Sequence, residues 1–170
     1  HKIASPSGID EVYPEDLKNY KIFSRRELNE NISDINNLQN KSIYVSRISS
    51  IPDESEINSN NVIWTSGLKT WKNLVARGIW VNGTSDSLGE DFENNINSLT
   101  NNPWVKLTHK ESPETSIKNK IETYQLEPID FKIDIEKKKY FYWMSSSAFK
   151  ASIDKYPIIK EKHHLSLIHI

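Results

Sequence analysis

The chain has 170 residues, a formal net charge of -1, 36% hydrophobic residues and no cysteine, enough for one ordinary domain or two small ones. The near-neutral balance supplies no global field toward a polyanion, and the missing cysteine removes disulfides, thiolate catalysis and Cys-ligated metals together. No apolar run is long enough to span a bilayer and no signal-peptide pattern opens the chain, so a cytoplasmic protein that engages neither membrane nor nucleic acid is expected.

Residues 1–19 show little periodicity and read as a leader or linker. Because the chain opens on His1 and ends in the apolar run Leu165 to Ile170, it is expected to be part of something longer. Tyr20 to Ser24 is a short candidate strand, and Lys41 to Arg47 a better one, β-branched and aromatic and bounded by Ile51-Pro52-Asp53. Val62-Ile63-Trp64 is a compact strand broken by Thr65-Ser66-Gly67. Leu68, Trp71, Leu74 and Val75 then recur at helical spacing, and Arg77-Gly78 ends that helix. Ile79-Trp80-Val81 reads as the next strand, followed by the polar turn Asn82 to Asp86 and a second helix.

Asn101-Asn102-Pro103 punctuates the chain and sets the expected internal boundary, dividing it into residues 20–100 and 101–170. Trp104 to Thr108 is a strand, Glu111-Ser112-Pro113-Glu114 has the composition of a helix start, and Thr123 to Leu126 is a strand. Phe131, Ile133 and Ile135 alternate as in another. Tyr140 to Met144 forms the next strand and runs into Ser145-Ser146-Ser147. Ala148, Phe149, Ile153 and Tyr156 follow at helical spacing up to Pro157, and a last strand is expected from His164. Val62 to Gly83 and Tyr140 to Ile170 therefore repeat one pattern: a Trp-containing strand, a hydroxyl-rich turn, an amphipathic helix and a strand. The expected fold is α/β, with two related small parallel-sheet halves of Rossmann or flavodoxin-like type.

A helix start that follows a parallel strand leaves backbone N–H groups pointing beyond the sheet, where they attract anions. Thr65, Ser66, Gly67, Ser145, Ser146 and Ser147, together with the Gly83-Thr84 turn, are accordingly candidate contacts for carboxylate or phosphate. The same hydroxyl residues also serve as ordinary helix caps, and both roles stay open at this point. The histidines His109, His163, His164 and His169 lack the spacing of a zinc site. There is no Gly-rich phosphate loop and no nucleophile elbow.

The paired units resemble the uroporphyrinogen-III synthase family. Ile43-Tyr44-Val45-Ser46-Arg47 is similar to the family's opening strand, Val62 to Ser66 and Ile79 to Gly83 to its first strand–helix–strand unit, and Tyr142 to Phe149 to its second. Thr123-Tyr124-Gln125 is similar to a strand whose tyrosine lines the family's interdomain cleft. Met144 stands where the family has Thr, and the stretches 41–62 and 108–123 are too short for its helical crossovers. The resemblance implies a cofactor-free lyase of tetrapyrrole and haem biosynthesis. Its substrate would be the linear tetrapyrrole hydroxymethylbilane, closed with inversion of the last pyrrole ring and loss of water. Tyr124 would assist departure of the hydroxyl, and the hydroxyl-rich turns would hold the carboxylates. It also implies a possible fusion or association with hydroxymethylbilane synthase. A non-catalytic tetrapyrrole-binding or structural domain is the alternative.

Overall fold

A computed structural model of the chain describes residues 20–86, 88, 100–143 and 145–166. It is an α/β protein whose chain forms two compact units, Arg25–Glu127 and the combination of His1–Ser24 with Pro128–Ile170. The expected leader lies outside the described residues, as does the helix expected after Asp86.

The strands in chain order are β1 (Phe23–Glu27), β2 (Ser42–Val45), β3 (Val62–Thr65), β4 (Gly83–Thr84), β5 (Trp104–His109) and β6 (Lys120–Pro128). They form one sheet in the order β1-β6-β5-β2-β3-β4. β2, all four of whose residues are buried, pairs in parallel with β3 on one side and β5 on the other, and β4 and β6 extend the parallel set outward. β1 runs antiparallel to β6: Leu28 N–H donates to Thr123 O, while the Arg26 side chain reaches Gln125 and Glu127. The sheet is thus mostly parallel.

One face of this sheet is apolar. Ile43, Val45, Ile63, Val105 and Leu107 point to it by the alternation of strand side chains. They pack with Ile35 of α1 (Ile32–Asn36), Leu74 of α2 (Leu68–Ala76), and Leu38, Ile51 and Val81. α2 follows β3, ends at Arg77 and turns on Gly78, whose φ of +78° is the left-handed conformation expected there. No helix of any length joins β2 to β3 beyond one 3₁₀ turn (Ile48–Ser50), and none joins β5 to β6. The shortness of those two stretches already pointed to this.

Several elements differ from the sequence reading, each for a local reason. The candidate strand at 20–24 becomes β1, displaced toward Glu27 by its pairing with β6. The strand expected at Ile79 to Val81 does not form. There Asn82 takes both bonds of Ile63, its side chain accepting from Ile63 N–H at 2.9 Å and its N–H donating to Ile63 O at 2.8 Å. The ladder therefore begins only at Gly83, inside the expected turn. No helix follows Glu111; residues 110–119 are irregular, and Ser112 N–H closes a turn onto His109 O. The boundary expected near Thr100 also moves. β5 is hydrogen-bonded to β2, so residues 101–127 belong with the first strands rather than with the second half.

In the other unit, β7 (Tyr140–Trp143) and β8 (His163–Ser166) form a parallel pair linked by α3 (Ser146–Lys155) and the 3₁₀ turn Pro157–Glu161. This is the strand–helix–strand arrangement read from the sequence, with the continuation after Ser166 outside the described residues. Its core joins Phe141, Trp143, Ile153 and Ile159 to Ile22, Phe131 and Ile133. The alternation at 131–135 is real, with Phe131 and Ile133 buried and Lys132 and Asp134 exposed, but this segment has no ladder partner and is not a strand. Lys155 ties it down by donating to Phe131 O at 2.6 Å and to Asp130 Oδ1 at 2.7 Å. That hydrogen bond and the ammonium charge hold the Asp130 carboxyl below the ordinary aspartate value.

Gly83 carries a packing constraint. A Cβ placed there would overlap the six-membered ring of Trp64 on the neighbouring strand. Gly83→Ala is expected to lower stability by about 1–3 kcal/mol, the usual range for overpacking, measurable as a drop in thermal midpoint. A midpoint equal to the parent's would show that Trp64 moves aside freely.

Candidate functional site

In an open parallel sheet, ligands bind beyond the carboxyl ends of the strands where the strand order reverses. Here the chain runs outward from β2 through β3 to β4, then returns to the opposite side of β2 to lay down β5 and β6. The reversal falls between β2 and β5. The residues just past those two strands, Ser46, Arg47, His109 and Lys110, are the first to consider.

The register aligns this edge. Val45 is level with Thr65 and with Leu107, and Thr65 is level with Thr84. One residue further on, Ser46, Ser66 and Ser85 stand side by side: Ser66 N–H donates to Val45 O, Ser85 N–H to Thr65 O, and the Ser66 hydroxyl to Ser46 O at 2.6 Å. The Ser46 hydroxyl is shielded from solvent and has no hydrogen-bond partner among the described residues. Next to it Arg47 is exposed in extended backbone, with no ion pair among the described residues. His109 is level with Tyr124.

The candidates from the sequence divide between the two units. Thr65, Ser66, Gly67, Gly83, Thr84 and Tyr124 lie along the carboxyl edge of the six-stranded sheet, with Tyr124 three strands from Thr65, a span of about 14 Å at ordinary strand spacing. Ser145, Ser146 and Ser147 belong to the other unit.

Their chemistry also differs. Thr65 is fully buried, and its hydroxyl is directed to the carbonyls of Gly67 and Gly83 at 3.4 and 3.5 Å. Gly67 precedes α2 in extended conformation with no side-chain cap, so the first amides of that helix have neither an intrahelical partner nor a capping oxygen. Lys69 is exposed in that first turn. The start of α3 is the opposite case. Ser145 Oγ accepts from Ala148 N–H at 3.4 Å and lies 2.7 Å from Ser147 Oγ, so this turn acts as a cap. Gly83 is accounted for by Trp64, and Ser85 Oγ accepts from the Trp64 indole at 3.2 Å.

Tyr124 is buried at 4% exposure. Its ring stacks on His109 at 5.6 Å between centroids, and the Arg25 guanidinium carbon stands 5.6 Å from the ring centroid. Arg25 also opens onto a cleft of about 310 Å³ in the same unit. One wall of the cleft is Arg25, Glu27 and Asn29; the other is formed by residues 48–54 after β2, with Arg77 at its edge. Arg77 is engaged there, donating to Ile51 O and Pro52 O and pairing with Asp53 at 3.1 Å. Arg25 pairs with Glu27 at 2.6 Å.

Sequence reasoning missed Arg25, Arg47 and His109 as site residues. Arg47 had a signal, a cation directly beyond a wholly buried strand. Arg25 had none, because its neighbour Tyr124 is about a hundred positions away. Among the described residues no group of three or more His, Asp or Glu could hold a metal, and no helix is long and apolar enough to cross a membrane.

Neither the models of known protein families nor the curated proteins include a match to this sequence. The carboxyl edge brings together uncapped helix amides, a row of serines and the cations Arg47 and Lys69, which have no ion pair among the described residues, beside an aromatic pair.

Because Ser145 caps α3 while Ser146 lies exposed in its first turn, Ser145→Ala is expected to cost about 1 kcal/mol and Ser146→Ala less than about 0.5 kcal/mol. Chemical denaturation of the two variants checks this. Equal effects would remove the capping role.

Proposed function

We propose that this chain is a uroporphyrinogen-III synthase-like domain that receives the linear, carboxylate-rich tetrapyrrole hydroxymethylbilane and closes it to uroporphyrinogen III. The last ring is inverted and the substrate's hydroxyl leaves as water. The proposal includes the finer architecture of two related α/β halves and a cytoplasmic place in haem biosynthesis, with hydroxymethylbilane synthase as a possible fused or associated partner.

One observation carries the reading: the carboxyl edge of the sheet, along which the strand order reverses, collects hydrogen-bond donors and cations. The uncapped amides at the start of α2, with Arg47 and Lys69, suit a polyanion, whereas Ser66 already gives its hydroxyl hydrogen to Ser46 O. No redox group or thiol is needed, because ring closure driven by loss of water asks for orientation and for stabilisation of developing charge. Tyr124 sits on the same edge and is assigned to hydroxyl departure. The repeated strand–helix–strand units, β3–α2–β4 and β7–α3–β8, each with parallel strands, add support.

A second reading, a non-catalytic domain that only holds the tetrapyrrole, draws on a specific fact. Tyr124 is buried and stacked on His109, which suits a packed strand tyrosine as well as a proton donor.

The ratio of type III to type I uroporphyrinogen separates these, since uncatalysed closure gives only type I. The proposal expects type III from the full chain. It expects Tyr124→Phe to lower that rate on the order of 10²-fold, the lower end for acid–base assistance, with ligand affinity and melting temperature nearly unchanged. Type I alone, with tight tetrapyrrole binding, would establish the binding-only reading.

A further inference from the structure

Arg25 is positioned unlike any other cation of the sheet unit. It lies at once beside the Tyr124 ring and in the wall of the 310 Å³ cleft. Among the described residues its ion pair is with Glu27, two residues along the same strand face, and both side chains are well exposed, at 44% and 38%. Such a pair is weak in water and exchanges readily. The cleft is also lined by residues 48–54, among which Ile51 and Pro52 are buried and Ile48 is the half-buried apolar residue, together with Asp53 and Glu54. Asp53 is engaged by Arg77, whereas Glu54 is exposed with no partner among the described residues.

We infer that this cleft binds one carboxylate-bearing aromatic ring, and that Glu27 is a built-in competitor for its anchor. The ligand's carboxylate takes the Arg25 guanidinium, displacing Glu27, because the planar fork of Arg suits a carboxylate bidentately. The ring lies against Ile48, and Glu54 accepts from a ring N–H. The volume is at the lower limit of small-molecule pockets, about 300–1,000 Å³, so it takes a single ring with its side arms rather than a whole tetrapyrrole. That the ring is a pyrrole follows from the proposed function above; the carboxylate anchor and its competitor follow from the geometry alone.

The sign of the Glu27 substitution tests this. The probe is a monopyrrole carrying acetate and propionate arms, titrated into the full chain and followed by calorimetry and by the NMR signal of the Arg25 side chain. Glu27→Gln is expected to tighten binding by about 2–5-fold, the worth of an exposed pair. Arg25→Gln is expected to weaken it by about tenfold or more, the worth of a hydrogen bond to a charged group, and Arg25→Lys to recover only part. Both side chains are exposed, and an unchanged circular dichroism spectrum checks that the variants fold. Weaker binding in Glu27→Gln, or unchanged binding in Arg25→Gln, overturns the inference. If the binding pattern holds while no variant nor the parent produces type III uroporphyrinogen, the cleft stands and the cyclase reading fails.

Discussion

The parallel pairing of β2 with strands on both sides is the constraint on which the rest of the sheet unit depends. β2 is fully buried and has β3 on one flank and β5 on the other. Strands that run the same way end at the same edge, so every turn after them is brought to one place. Had β5 paired beyond β4 instead, the strand order would not reverse at β2, and the residues after β2 would not lie beside those at the end of β5. Site and fold are thus two consequences of one hydrogen-bonding pattern.

That pattern also sorts the side chains by chemistry. The face built by Ile43, Val45, Ile63, Val105 and Leu107 receives α1 and α2 and supplies the hydrophobic stabilisation. The alternate residues on the other face are Ser42, Tyr44, Val62, Trp64, Trp104, Lys106 and Thr108, a mixture of aromatic, aliphatic and polar side chains. Ser42, Tyr44, Lys106 and Thr108 are each no more than 2% exposed. Burial of polar groups costs stability unless they are bonded. The hydroxyl row at the carboxyl edge continues this face.

Much of this was legible from residues, and the failures have physical causes. The strands at Ser42–Val45, Val62–Thr65 and Trp104–His109 are short β-branched and aromatic runs, and α2 has an apolar stripe ended by Arg77-Gly78, so local pattern sufficed. Residues 79–82 also have strand composition, but the Asn82 amide satisfies Ile63 in place of a neighbouring backbone, and a side-chain substitute of this kind leaves no trace in periodicity. The unit boundary was misplaced because Asn101-Asn102-Pro103 is a real interruption of the chain but not of the sheet, which crosses it through β2–β5 pairing. For the site, hydroxyl-rich helix starts could be read, whereas their difference could not: Gly67 leaves α2 open and Ser145 closes α3. The juxtaposition of Arg25 with Tyr124 depends on β1 lying against β6, a long-range pairing that no local window contains.

The proposed receptive surface is the carboxyl edge of the sheet, centred on β2. Amide chemical shifts recorded while uroporphyrin, a stable polycarboxylate, is added to the full chain test this most directly. The predicted result is a set of perturbations concentrated at Ser46, Arg47, Ser66 to Lys69 and His109, with the opposite edge at Ser42, Val62 and Trp104 unmoved. Perturbations confined to that opposite edge, or none at concentrations that saturate a polyanion site, would contradict it.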